Sequence, residues 1–274
     1  MKELLIRISV AIIGIPLLIF LVWQGGLWFL TFILIIAVLG QWEMYRMLEQ
    51  KQVVPQKLAG ILLGLSIVML TYTGFSETMF SLLLAVLIFI FAAEMFYNRG
   101  SSNLNIGGTL LGVIYPVLFL DALLFLRLRL GELFQSNSGS ASAIFILALF
   151  VSIWTCDTMA YFVGVKFGKH RLFERVSPKK SIEGALGGLA GALLIFLLAW
   201  WRQIIPLSLP LALTAGLIVG VFGQMGDLVE SWFKRDAGVK DSSKILPGHG
   251  GILDRFDSMM FVSPIFVIIY LLWT

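Results

Sequence analysis

Cysteine and histidine are almost missing from this 274-residue chain, which has one Cys, Cys156, and two His. A lone cysteine excludes an internal disulfide framework, and Cys156 sits inside an apolar run, so it says little about redox compartment. Charge is scarce as well. Only 13% of residues are Asp, Glu, Lys or Arg, whereas 59% are hydrophobic, and the mean hydropathy is +0.95. Too little polar surface is left to cover a water-soluble globule of this size. Disorder and collagen are excluded by the same composition, and there is no internal repeat or low-complexity tract. The net charge of +4, from 20 basic against 16 acidic residues, is too mild to indicate nucleic acid.

What the chain has in abundance is long apolar runs. A hydrocarbon core about 30 Å thick needs roughly 20 residues per spanning helix. Candidate helices fall near residues 5–23, 27–45, 57–75, 78–97, 104–126, 142–164, 184–201, 205–225 and 259–273. The runs are continuous, not alternating in short segments, which favours helices over a β-barrel. The expected fold is therefore an all-α polytopic membrane protein of about nine transmembrane helices. The stretch Met1 to Gln24 has the basic start and apolar run of a signal peptide but no small-x-small site, and is read as an uncleaved first span.

Loop parity sorts the basic residues. Seventeen fall on the side of the N-terminus (Lys2, Arg7, Arg46, Lys51, Lys57, Arg99, six from Lys166 to Lys180 and five from Lys234 to Arg255). The other side holds three, Arg127, Arg129 and Arg202. The positive-inside rule then places the N-terminus in the cytoplasm and, with nine spans, the C-terminus outside. Residues 1–135 are expected to form N-terminal transmembrane helices, and 136–274 a C-terminal transmembrane catalytic region with two polar cytoplasmic segments.

Those segments, Lys166 to Glu183 and Gly226 to Ser258, hold 11 of the 20 bases and eight of the 16 acids. Topology signals alone need bases and have no use for interleaved carboxylates. Asp227, Asp254 and Asp257 are candidate ligands for a hard divalent cation, since carboxylate oxygen suits Mg²⁺. A helix beginning near Leu253 puts Asp254 and Asp257 three apart on one face; the competing reading has Asp254 as a helix cap and Asp257 paired with a base. Lys234, Arg235, Lys240 and Lys244 fit a phosphate-rich ligand reached from the cytosol, or anionic lipid head groups. In the turn Pro247–Gly251 the glycines let backbone N–H groups approach an anion. His249 is a phosphate donor, an acid, or simply a turn residue. Asp157, near the inner end of a span, calls for a partner or a wet cavity. Lys179 and Lys180, before Glu183 and a glycine-rich helix, again suggest an anion site. Glu94 and Asp121 lack chemical neighbours in sequence and are read as structural.

The stretch Ser231 to Asp257 resembles the signature of the CDP-diacylglycerol synthase (phosphatidate cytidylyltransferase) family. The pattern S-x-apolar-K-R-x4-K-D-x-small-x2-apolar-P-x-H-G-G-apolar-x-D-R-apolar-D is met at every fixed position, by Ser231, Lys234, Arg235, Lys240, Asp241, Ser243, Pro247, His249, Gly250, Gly251, Asp254, Arg255 and Asp257. Upstream, Asp157, Tyr161, Gly164, Gly168, Ser177, Pro178, Lys179, Lys180, Glu183 and Gly184 resemble the family's second patch. Ser181 stands where Thr is commoner, and Glu174 where Pro is expected. The first half is similar in hydropathy alone.

The resemblance implies a membrane nucleotidyltransferase of phospholipid biosynthesis that converts CTP and phosphatidic acid to CDP-diacylglycerol and pyrophosphate. It implies Mg²⁺, as one or two divalent ions with an additional monovalent cation as an option, held by Asp227, Asp254 and Asp257. Lys234, Arg235, Lys240, Asp241, His249 and Arg255 join them as catalytic candidates. Asp157, Tyr161, Ser177, Lys179, Lys180, Glu183, Ser231, Ser243, Gly250 and Gly251 are the substrate-binding candidates. A homodimer in a bacterial inner (plasma) membrane, with its active site on the cytoplasmic side, belongs to the same expectation. A CDP-alcohol phosphotransferase is disfavoured because its D-G-x2-A-R string is missing. A secondary transporter would concentrate polar groups within the bilayer, whereas here they gather at one face.

Overall fold

The structure is a computed structural model that describes residues 2–97, 99–133, 139–246, 248 and 250–273. The helices are α1 (Lys2–Gln24), α2 (Gly26–Glu49), α3 (Lys57–Thr73), α4 (Glu77–Phe96), α5 (Ser102–Val113), α6 (Phe119–Leu133), α7 (Ser140–Phe167), α8 (Ile182–Trp201), α9 (Leu209–Ile218), α10 (Gln224–Asp236) and α11 (Leu253–Trp273). Among the described residues seven helical segments are long and apolar enough to cross a membrane. Two further apolar helices, Ser9–Gln24 and Lys57–Thr73, are shorter. The chain is an integral membrane protein.

Two of the long segments contain a wide turn. Ile114–Leu118 joins α5 to α6 as a π turn, and it contains Pro116, whose missing N–H breaks the regular ladder. Val219–Gly223 joins α9 to α10 in the same way. The helix expected to end near residue 225 therefore runs on to Asp236. The side chains that α10 buries are polar, Glu230, Ser231 and Lys234, while Trp232 is exposed.

One departure from an all-α chain lies between α7 and α8. Strands β1 (Arg171–Phe173) and β2 (Ser177–Ser181) form an antiparallel hairpin, with Arg171 opposite Ser181 and Phe173 opposite Ser177. Pro178 excludes a helix here, and a two-stranded hairpin is all edge, so the missing N–H is tolerated.

The chain packs as two units that interleave in sequence: 1–125 with 233–255, and 126–232 with 256–274. In the first unit a polar knot ties the membrane helices together. Glu94 on α4 accepts Gln56 Nε2 and Asn105 Nδ2, each at 2.8 Å, and the Tyr45 hydroxyl donates to the Thr109 carbonyl at 3.0 Å. Around it pack Ala59, Leu63, Ile90 and Val113. In the second unit α7 and α8 meet along a seam of small residues. A Cβ on Gly188 would lie 3.0 Å from Cys156 Sγ, and one on Gly191 3.1 Å from the Thr155 carbonyl oxygen. Backbones approach this closely because glycine has no side chain to keep them apart.

Candidate active site

The small-residue seam positions the first set of candidate side chains. A Cβ on Gly184 would fall 2.8 Å from the Ala160 carbonyl oxygen and 3.2 Å from Gly164 Cα, so the start of α8 is pressed against α7 beside Asp157 and Tyr161. The hairpin is braced by Glu183, whose carboxylate accepts the backbone N–H groups of Lys169 at 3.0 Å and His170 at 3.2 Å and lies 2.6 Å from His170 Nδ1. Ser181 caps α8 by accepting the Gly184 N–H at 3.1 Å. Ser and Thr both cap helices well, so the departure at Ser181 leaves the local structure intact. Glu174 falls in the turn between the strands.

This scaffold encloses a cavity of about 460 Å³ lined by Asp157, Tyr161, Arg171, Lys179, Lys180 and Asp227, with Gly164, Gly184 and Gln224 among its walls. Seven of the residues singled out in the sequence, Asp157, Tyr161, Gly164, Lys179, Lys180, Gly184 and Asp227, thus come together from α7, β2, α8 and α10. Lys180 forms an ion pair with Asp227, and the Ser231 hydroxyl donates to the same carboxylate at 3.3 Å. Glu183 supports the hairpin, and Ser177 pairs with Phe173 at its far end. Gly226 adds a contact that the sequence does not announce. A Cβ there would run into the Asp257 carbonyl and lie 3.1 Å from Ser258 Cα, so α10 crosses α11 backbone to backbone beside Asp227 and Asp257.

In the other unit the signature residues build a different object. Lys234 is buried and donates to Asp254 Oδ1 at 2.6 Å. Asp254 Oδ2 accepts the Gly251 N–H at 2.8 Å and the Ser242 N–H at 3.1 Å. A second carboxylate, Glu43 of α2, accepts the Ser243 hydroxyl at 2.6 Å and the N–H groups of Ile252 and Leu253 at 2.9 Å each. Where the glycine turn meets α11, the carboxylates that receive backbone N–H groups are the protein's own. Gly251 gives its N–H to Asp254, and the Gly250 carbonyl accepts from Leu246 at 3.0 Å.

Arg235 donates to the Val239 carbonyl at 3.0 Å and closes the end of α10. Lys240, Asp241 and Lys244 line a cavity of about 550 Å³ with Arg46 of α2. In sequence Arg46 carries only a topology signal, and nothing around it marks it otherwise. Glu43 was missed for a plainer reason: it lies in an apolar run 199 residues from its partner Ser242. Arg255 is exposed. His249 and Pro247 lie outside the described residues.

Among the described residues no group of three or more His, Cys, Asp or Glu is gathered to hold a metal ion. The donor chemistry of the second unit nonetheless fits a hard cation. Asp227 and Asp257 are carboxylates on closely crossing helices, and the Lys180 ammonium already supplies a positive charge to Asp227.

Comparison with known proteins identifies the family. A model of the cytidylyltransferase family matches residues 5–273. A protein of Staphylococcus aureus (strain COL) called phosphatidate cytidylyltransferase is 36% identical over 264 residues, covering 95% of this chain and 96% of its own. One of the same name from Synechocystis is 34% identical over 280 residues, covering 94% of each. Another, from Staphylococcus haemolyticus, is 47% identical over 136 residues, covering 50% of this chain and 52% of its own. With a family match over nearly its whole length and relatives above 30% identity, the chain belongs to the cytidylyltransferase family.

Proposed function

We propose that the cavity between α7, the hairpin and α10 is where CTP and phosphatidate react. The chain is a CTP-using nucleotidyltransferase, a phosphatidate cytidylyltransferase of phospholipid biosynthesis. The observation that carries the proposed site is the convergence of Asp157, Tyr161, Lys179, Lys180 and Asp227 on one cavity. A phosphate oxygen of phosphatidate forms a bond to the α-phosphorus of CTP. The bond from that phosphorus to the oxygen bridging to the β-phosphorus breaks, and pyrophosphate leaves with the electron pair.

A phosphomonoester has a second pKa near 6, so at neutral pH about nine-tenths of it is already the dianion. No strong general base is needed. The difficulty is repulsion between two polyanions, and it is met by positioning and by fixed positive charge. Lys179, Lys180 and Arg171 supply that charge at the cavity. Lys180 pivots on its long stem between Asp227 and an incoming phosphate oxygen without backbone movement. Asp157 and Tyr161 line the entrance, where the diacyl tails stay in lipid while the nucleotide arrives from water.

Asp227 and Asp257 would hold Mg²⁺, which when bound neutralises charge developing on the departing pyrophosphate. Asp254 keeps its place in that ligand set as a proposal resting on the signature alone, and an additional monovalent cation is proposed on the same footing. Nine spans with a cytoplasmic N-terminus, a bacterial inner membrane, a cytoplasmic-side site and a homodimer complete the proposal. Support for the orientation comes from the 17-to-3 division of basic residues.

The test is direct. Purified protein is incubated with radiolabelled CTP, phosphatidate and Mg²⁺, with and without a chelator. Label is expected in the organic phase only in the complete mixture, and label remaining in water overturns the reading.

A further inference from the structure

We infer that Glu43, in the N-terminal helix α2, is a positioning residue that holds the two ends of the signature loop, Ser242–Ser243 and Ile252–Leu253, in their working places. The carboxylate is completely buried. It receives four donors, two on each oxygen. Ser243 Oγ and the Ile252 N–H reach Oε1 at 2.6 and 2.9 Å, and Ser242 Oγ and the Leu253 N–H reach Oε2, both at 2.9 Å. The four donors come from both ends of the loop, so one side chain pins the loop's exit from Lys240–Asp241 and its return into α11. The Ser242 hydroxyl lies 2.9 Å from Asp254 Oδ2 as well, so its single hydrogen is shared between the two carboxylates, which couples Glu43 to the buried Lys234–Asp254 pair.

The glycine pair of the signature corroborates this. Gly250 adopts φ +83°, a conformation that glycine takes without strain. Gly251 is required for a different reason: a Cβ there would lie 2.5 and 2.6 Å from the two Glu43 oxygens. The second glycine is the space into which a carboxylate from another part of the chain is inserted. The loop presents Lys240, Asp241 and Lys244 at its surface. Their placement depends on what lies beneath them.

Glu43→Gln keeps the size and loses the match. Whichever oxygen becomes the amide nitrogen, that nitrogen faces a backbone N–H that cannot rotate away, donor against donor. Two readouts separate positioning from mere stability in detergent-purified protein of unchanged helix content. Trypsin cleavage after Lys240 and Lys244 is expected to accelerate about tenfold, because proteolysis follows the open population of the loop. The KM for CTP is expected to rise about tenfold, which a smaller folded fraction would not produce. Glu43→Asp retains both oxygens and is expected to restore most of both. Ser243→Ala removes a single donor and is expected to move both readouts about threefold in the same direction, so the test survives if the glutamine variant fails to fold. Cleavage at the wild-type rate overturns the inference, as does faster cleavage with an unchanged KM. Only the kinetic arm rests on the proposed function; the cleavage arm stands without it.

Discussion

Two lysine–aspartate pairs serve the two units, and they differ in burial. Lys234 and Asp254 have side chains 10% and 8% exposed, whereas Lys180 and Asp227 are 28% and 30% exposed. The buried pair is surrounded by further donors, with Gly251 and Ser242 bound to the same carboxylate. Its geometry is over-determined. The open pair lines a cavity, and the Ser231 hydroxyl is the further donor on its carboxylate. The same two residue types therefore stand in two settings: one pair locked among further donors where water is nearly excluded, the other on the wall of a cavity.

The comparison can be broken most decisively at the open pair. Asp227→Asn is expected to reduce transfer of label from CTP to lipid by about 1,000-fold while the thermal midpoint in detergent stays within about 2 °C of wild type. A large fall in stability would make this pair structural too. At the buried pair the order reverses. Lys234→Met leaves a buried carboxylate without its cation, and a loss of roughly 3–5 kcal/mol is expected, read as a lowered midpoint. Adding Asp254→Asn removes the stranded charge and is expected to recover about half of that loss. No recovery would mean that Lys234 acts through packing and not through charge.

Smaller effects sharpen the picture. Gly226→Ala forces a methyl group into the Asp257 carbonyl, and the displacement of Asp227 is expected to lower kcat about 100-fold with a modest change in stability. Glu183→Gln loosens the hairpin brace without touching the cavity floor. The expectation is a rise of about threefold in the KM for CTP, with faster trypsin cleavage after Arg171 and Arg175.

Much of this was legible in advance, and the exceptions share a cause. Continuous apolar runs mark the spans because a membrane demands them. Asp157 stands out because a carboxylate in a span requires a reason, Lys179, Lys180 and Asp227 because bases and carboxylates interleave beside the spans, and Tyr161 through the family resemblance alone. Helix α11 does begin at Leu253 and so carries Asp254 and Asp257 in its first turns. Glu43 was invisible because its meaning lies in Ser242, Ser243, Ile252 and Leu253, far away in sequence. Gly226 and Gly251 matter for what they leave room for, which no local pattern records. The extension of α10 to Asp236 was hidden by its charges, which read as loop although Glu230 and Lys234 are buried on the helix. The burial of Lys234 was concealed in the same way, since a lysine beside an arginine at a membrane boundary reads as exposed.

Helix α8 presents two opposed demands along a single rod. Gly184, Gly188 and Gly191 face α7 with no volume to spare, while Ile182, Leu186, Leu194 and Leu198, each at least 41% exposed, face outward. Tolerance to replacement should accordingly oscillate with the helical repeat. The lipid-facing stripe should accept almost any oily residue, and the other should reject even a methyl group. Saturation mutagenesis of these twenty positions would trace that wave, and a phase slip in it would locate where the rod stops being guided by its neighbour.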